Sequence, residues 1–467
     1  MDTVFWIVVA YMSIMVGIGI YAAKRKINNS KDFMLAGRNL GPFMLAGTLA
    51  AAEIGGGSTV GVAAKAYGDW GLSAGWYVVC AGIGIFLVSF VAPYLRKALA
   101  TTVPEILGRR YGTPSHIITT ALAISAGFAL AAVQVIATST IISVVAGIDF
   151  KTTIVISAVV VTLYTLLGGL MSVAMTDIVH IIFITLGMAI AAPVIIHNAG
   201  GWSSIVASLP QEQMALTKIG WKTIFGLIVM YFMTFSTGQE AVQRYFAAKD
   251  IKTARLGSML TALLMALYGF IPATIGLVAL ARFPNIDPNT AMATAAVNFA
   301  PTLLAGLVLA SVVAATMSSA SGNLIAVSTL FTKDVYQKYI NADATDNQLV
   351  STSRWVIVTV GVGALIIALS KTSIIPLLVF AFTMRSAGPF GAFVFGLFYK
   401  NATVNAGLYS IILGSAAAFI WQYLGEPYGI MSIILGSIVS TVVFFGVSYI
   451  EGKLGVKPAP SGFVDEE

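Results

Sequence analysis

Three charged side chains, Glu53, Glu240 and Arg385, stand inside long apolar stretches of the sequence. At such positions an ionised, unpaired group costs several kcal/mol. These groups therefore pair with one another, hold an oppositely charged solute group, or carry a proton. Their formal sum is −1, and one alkali cation brings it to zero. Other polar side chains accompany them: Ser58, Gln239, and Gln134, the lone amide between Phe128 and Ala137. Gln134 reads equally as a solute contact or as an interhelical hydrogen bond. Hydrolytic and metal chemistry have little to work with. The single cysteine, Cys80, allows no intrachain disulfide and no thiolate metal site. His116, His180 and His197 are scattered and not at ligand spacing. No nucleophile–base pair is visible, so an enzyme is not expected.

What must position these groups is helix in lipid. Of 467 residues, 58% are hydrophobic and 10% charged, with mean hydropathy +0.90. A typical soluble domain carries about 25% charged residues. A spanning helix needs about 20 apolar residues, and backbone groups in lipid must bond within their own segment. Thirteen such runs are readable, at 3–23, 41–66, 72–95, 114–146, 152–171, 176–197, 220–246, 254–282, 301–331, 350–370, 373–399, 403–424 and 429–450. The expected fold class is an all-α membrane protein of about thirteen transmembrane helices forming a single transporter domain over 1–467. Asp2 in place of a basic leader argues against a cleaved signal peptide. No signalling module is expected behind the last run.

Lysine and arginine set the orientation. With the N-terminus outside, the inner loops hold 19 of the 26 basic residues, among them Lys24, Arg25, Lys26, Arg38, Arg96, Arg109, Arg110, Arg244, Lys249 and Lys400. Lys65, Lys151, Lys218, Lys222, Arg282 and Lys371 fall outside. The expectation is a multi-pass cell-membrane protein with its C-terminus in the cytoplasm. The +7 net charge then belongs to the cytoplasmic face, and no nucleic acid or obligatory protein partner is called for.

Two runs should break. Gly55-Gly56-Gly57, beside Glu53 and Ser58, disfavours helix by roughly 3 kcal/mol. Ser236-Thr237-Gly238-Gln239-Glu240 repeats the theme. Broken helices with polar groups at mid-membrane mark transporter binding sites; loose packing around small residues is the plain alternative. The broken runs are the second and seventh, five apart. Segments 41–197 and 220–399 then form two five-helix units of opposite topology, each opening on a broken helix. This is a 5+5 inverted repeat of the LeuT type, with 1–25 and 403–450 as peripheral helices.

The chain resembles the sodium:solute symporter family over nearly its whole length. The likeness is carried by Leu35-Ala36-Gly37-Arg38, by the stretch from Leu166 to Asp177, by Gln243 to Lys249, by Ala315 to Ser321 and by Phe331 to Tyr336. Gly55-Gly56-Gly57 and Leu163 to Gly169 look most like the choline-transporter branch. Glu53, Gly238 and the Ala129–Leu130 region stand where that branch keeps its tryptophan cage, so choline is not expected. The resemblance implies sodium as coupling ion. It also implies five sodium ligands: the carbonyls of Ala51, Ile54 and Ala315 and the hydroxyls of Ser318 and Ser319. Hard cations want such oxygens. Asp177 then lies on the sodium exit route, or is simply a carboxylate favoured by a helix N-terminus.

The solute should contact Glu53, Gly56, Ser58, Gln134, Gln239, Glu240 and Arg385. Either Arg385 pairs with one glutamate and leaves the other for a solute ammonium, or it holds a solute carboxylate. Both favour an amine-bearing or zwitterionic solute, such as an amino acid, over a sugar. The alternatives are a proton-coupled symporter using Glu53 or Glu240, a sodium-coupled importer of a small carboxylate bound by Arg385, and Glu240 and Arg385 as gate residues. No filter motif supports a channel.

Overall fold

A computed structural model describes residues 3–26, 29–370 and 373–461. Asp2 and Lys371, and the side chains of Lys24, Arg25 and Lys26, lie outside what is described. Among the described residues the regular elements are all helices, joined by short loops, apart from one isolated parallel bridge between Leu40 and Ala248. By length and composition, eight of the helices are apolar enough to cross a membrane. The count is nine if the bent pair Ile374–Ser386 and Pro389–Leu397 is one span. Shorter apolar helices sit beside them.

The expected runs fall on helices whose interruptions have local causes. The run from 41 splits into Pro42–Glu53 and a π-helical turn at Gly57–Gly61 that continues as Val62–Tyr67. The run from 220 splits into Gly220–Thr237 and Gln239–Phe246, with Gly238 extended between them at φ −71°, ψ 123°. The fifth and sixth runs are joined in Phe150–Asn198, kinked at Gly169. Gly169 has φ +50°, and a Cβ there would meet the Phe33 carbonyl oxygen at 2.8 Å, so both dihedral and space demand glycine. One break was not legible beforehand. The run from 373 bends by 52° ahead of Pro389, which lacks a donor N–H and clashes with the preceding turn.

The helix Thr302–Leu330 is the centre of the molecule. It packs on Phe150–Asn198, Val103–Ala146 and Thr3–Lys26. In its most apolar window 83% of residues are buried, against 33% for Val404–Tyr423 and Ser432–Lys453. The last two pack chiefly on each other and lie at the periphery. Both broken helices lie against the central one; the first break meets its serine-rich middle at Ser319, and the second stands against Arg385.

Candidate functional site

The first break frees oxygen atoms beside the central helix. Ile54 ends Pro42–Glu53 at φ −81°, ψ 66°, which turns its carbonyl off the helix axis. Ser319 Oγ lies 3.1 Å from the carbonyl oxygen of Ala51 and 3.1 Å from that of Ala315, donating to both. Ala51, Ile54, Ala315 and Ser318 are fully buried and Ser319 is 2% exposed. Oxygens about 3 Å apart in a dry pocket suit a cation that takes ligands at roughly 2.3–2.6 Å. Contact this close requires Gly55, where a Cβ would sit 2.3 Å from Ser319 Oγ.

Ser318 donates to Oδ1 of Asp177. Asp177 is wholly buried, and its Oδ2 accepts from Thr48 Oγ1 at 2.5 Å. Arg244 Nε donates to the same Thr48 hydroxyl at 3.0 Å, and Arg244 Nη2 lies 3.9 Å from Asp177 Oδ2. A carboxylate at a helix N-terminus would need none of these partners. By sequence Arg244 counts among the inner-loop charges, yet its side chain is only 1% exposed.

A cavity of about 30 Å³ adjoins the same break. It is lined in part by Glu53, Ser58, Gln134 and Glu240, together with Tyr77, Tyr231, Phe382 and Asn323. Gln134 Oε1 accepts from the Gly56 N–H at 2.9 Å, an interhelical hydrogen bond made at the edge of the cavity. Ser58 Oγ donates to the Glu53 carbonyl at 2.5 Å. The Glu53 carboxylate has no hydrogen-bond or ion-pair partner among the described residues. Glu240 does have one: Arg385 Nη1 is paired with its Oε2. The guanidinium also lies 5.0 Å from the Phe382 ring centroid and packs over Gly238, where a Cβ would meet Cζ at 2.6 Å.

Gln239 does not join this group. Its Oε1 accepts from Val103 N–H at 2.9 Å and its Nε2 donates to the Thr101 carbonyl at 3.0 Å, away from the cavity. Its amide fastens the second broken helix to the start of Val103–Ala146. The aromatic lining carries no sequence signal of its own, since Tyr77 and Phe382 are single aromatics among other apolar residues, Phe382 three positions before Arg385. Among the described residues, no group of three or more His, Cys, Asp or Glu gathers as for a transition metal.

A family model, Sodium:solute symporter family, matches residues 33–414. An osmoregulated proline transporter of Bacillus subtilis (strain 168) is 28% identical, covering 94% of this chain and 93% of its own. A sodium/proline symporter of Staphylococcus aureus (strain bovine RF122 / ET3-1) is 27% identical over 97% and 92%. A solved Na+-coupled sialic acid symporter, in a substrate-bound outward-open state, superposes with TM-score 0.83 at 20% identity, covering 98% of this chain and 99% of that one. A nucleobase-cation-symport-1 family transporter in a closed conformation gives TM-score 0.60 at 16% identity, over 94% and 98%.

Proposed function

The chain belongs to the sodium:solute symporter family, and from that premise we propose that it imports a small amine-bearing or zwitterionic solute by alternating access. Sodium is the coupling ion of such a symporter, and the chain is a multi-pass membrane protein. The finer architecture we propose is a single transporter domain of thirteen spans with the N-terminus outside. Its core is the inverted repeat of 41–197 and 220–399.

The observation that carries the solute class is the division of charge at the cavity. Arg385 is committed to Glu240, while Glu53 faces the cavity without a partner. An unpaired carboxylate at that depth is costly, and an ammonium removes the cost. Tyr77 and Tyr231 supply aromatic rings suited to a cation, while Phe382 already lies against the Arg385 guanidinium. A sugar would satisfy none of this, and a bare carboxylate would meet Glu53 as a like charge. As it stands the cavity has room for about two waters, so solute entry requires the lining to part. The Arg385–Glu240 pair, next to the second break, is the gate nearest to hand.

Sodium is assigned to the oxygens of Ala51, Ile54, Ala315, Ser318 and Ser319. There it ties the first broken helix to the central one and fixes the unwound backbone next to Glu53. Coupling is reciprocal: sodium tightens the solute by the factor by which solute tightens sodium. The relatives' names make proline the first solute to try.

The test is uptake into proteoliposomes under a sodium gradient, with amines, amino acids and sugars compared. Sodium-driven uptake of a sugar with no response to amines or amino acids overturns the solute class. A second reading rests on the same unpartnered Glu53, which is placed to carry a proton. Uptake that persists without sodium and follows pH selects it.

A further inference from the structure

The buried Arg244 is not needed by the sodium ligands or by the solute cavity, yet it is among the most enclosed side chains of the protein. It sits on Gln239–Phe246, the second half of the second broken helix. Its contacts run in one direction, toward the sodium oxygens. Nε reaches Thr48, Thr48 reaches Asp177, and Asp177 reaches Ser318. Nη1 donates to the Glu240 carbonyl at 2.5 Å, which fixes the guanidinium to its own helix. Nη2 makes no hydrogen bond and lies 3.9 Å from Asp177 Oδ2. Room for it on the central helix exists only because residue 322 is glycine. A Cβ there would stand 2.8 Å from Nη2, one turn beyond Ser318.

We propose that Arg244 is an electrostatic plug on the sodium route, a cation that occupies the far side of Asp177 and must leave before sodium can. This rests on the sodium site proposed above. An ion stepping from Ser318 past Asp177 meets the guanidinium at once. While Arg244 stays, its charge neutralises Asp177 and repels a second cation. When Gln239–Phe246 swings away, the arginine goes with it. Asp177 is then left as a bare buried carboxylate beside the ion. That exposed charge draws sodium off its five oxygens and onward. The plug is carried by the broken helix that also carries Glu240, so release of sodium is tied to the movement that releases solute.

The experiment uses the full-length protein, reading its thermal stability against sodium concentration and the leak of radiosodium from proteoliposomes without solute. Wild type, Arg244→Gln, Arg244→Lys and Gly322→Ala are compared. Removing the charge in Arg244→Gln should lower the half-saturating sodium concentration about tenfold. That is the scale for a unit charge about 12 Å away at an effective dielectric near 20. It should also raise the solute-free sodium leak about tenfold. Arg244→Lys, which keeps the charge, should stay within about twofold of wild type in affinity. A folded Arg244→Gln with unchanged or weaker sodium affinity and no leak overturns the plug, as does equal behaviour of the glutamine and lysine variants. Should Arg244→Gln fail to fold, Gly322→Ala decides: displacing the guanidinium should open the leak, and a leak-tight Gly322→Ala overturns the plug. A wild type that sodium does not stabilise removes the sodium site itself; a wild type that responds normally while every variant matches it removes only the plug.

Discussion

At the scale of single residues, the proposed site is a division of labour among charged groups. In that proposal Glu53 keeps its charge for the solute because Arg385 is paired with Glu240. Charge-assisted hydrogen bonds are worth about 1.5–3 kcal/mol. Glu53→Gln should therefore raise the half-saturating concentration of an amine solute by roughly tenfold to a hundredfold. The sodium-induced stabilisation should stay in place; a binding titration at saturating sodium reads both. Ser318→Ala removes a proposed sodium ligand and the donor on Asp177 Oδ1. Sodium-driven uptake should be lost while the purified protein remains folded, and unchanged sodium affinity would remove Ser318 from the site. The sequence carried Ser319 and Ala51 to one place through resemblance alone, since 268 positions separate them. It could not place Gln239, because an amide beside a glycine break looks the same whether it faces a cavity or clasps a neighbouring loop. Nor could it separate Arg244 from the loop charges that follow it, since what buries Arg244 is contact with Thr48 and Asp177 on other helices.

At the scale of elements, the breaks are packing features as much as flexible points. Gly55 lets the first broken helix touch Ser319, so Gly55→Ala should abolish sodium-dependent stabilisation. Gly17→Ala is the control, since nothing lies within 4 Å of a Cβ there. Equal sodium responses in the two variants would contradict the role given to the break. Both glycine-rich breaks were legible because helix propensity and a buried carboxylate point the same way. The bend before Pro389 was not, because its segment is uniformly apolar and a membrane helix often accommodates proline. The loop side offers a separate check. Asp250 caps Ile251–Tyr268, accepting from the Thr253 N–H at 2.7 Å, and that hydrogen bond holds its carboxyl below the usual range. The folded state thus binds the proton less readily than the unfolded one. The cap's contribution is whole above the unfolded pKa of about 3.9 and is lost as pH falls through the lower folded value. Asp250→Ala should cost about 1 kcal/mol at pH 7. Denaturation measured below pH 4 should show the difference from wild type shrinking.

At the scale of the whole molecule, the helices fall into a buried middle and an exposed rim. Hydropathy alone gives spans but not which of them are central. The serine-rich Thr302–Leu330 is as apolar on average as the peripheral pair at the C-terminus, yet it is the one surrounded on every side. Small residues allow that enclosure by letting backbones approach. The two broken helices converge on it, and the inner half of one carries Glu240, Gln243 and Arg244 as a single buried block. In the proposed cycle the solute gate and the sodium route therefore move together, since one helix carries both Glu240 and Arg244. The decisive measurement is the thermal stability of the purified protein across a panel of amines, amino acids (proline first) and sugars, each in sodium and in potassium. An amine-bearing solute should raise the melting temperature in sodium and leave it unmoved in potassium, and sodium alone should raise it as well. Stabilisation of equal size in both salts, or by a sugar and by no amine, would contradict sodium-coupled recognition at Glu53.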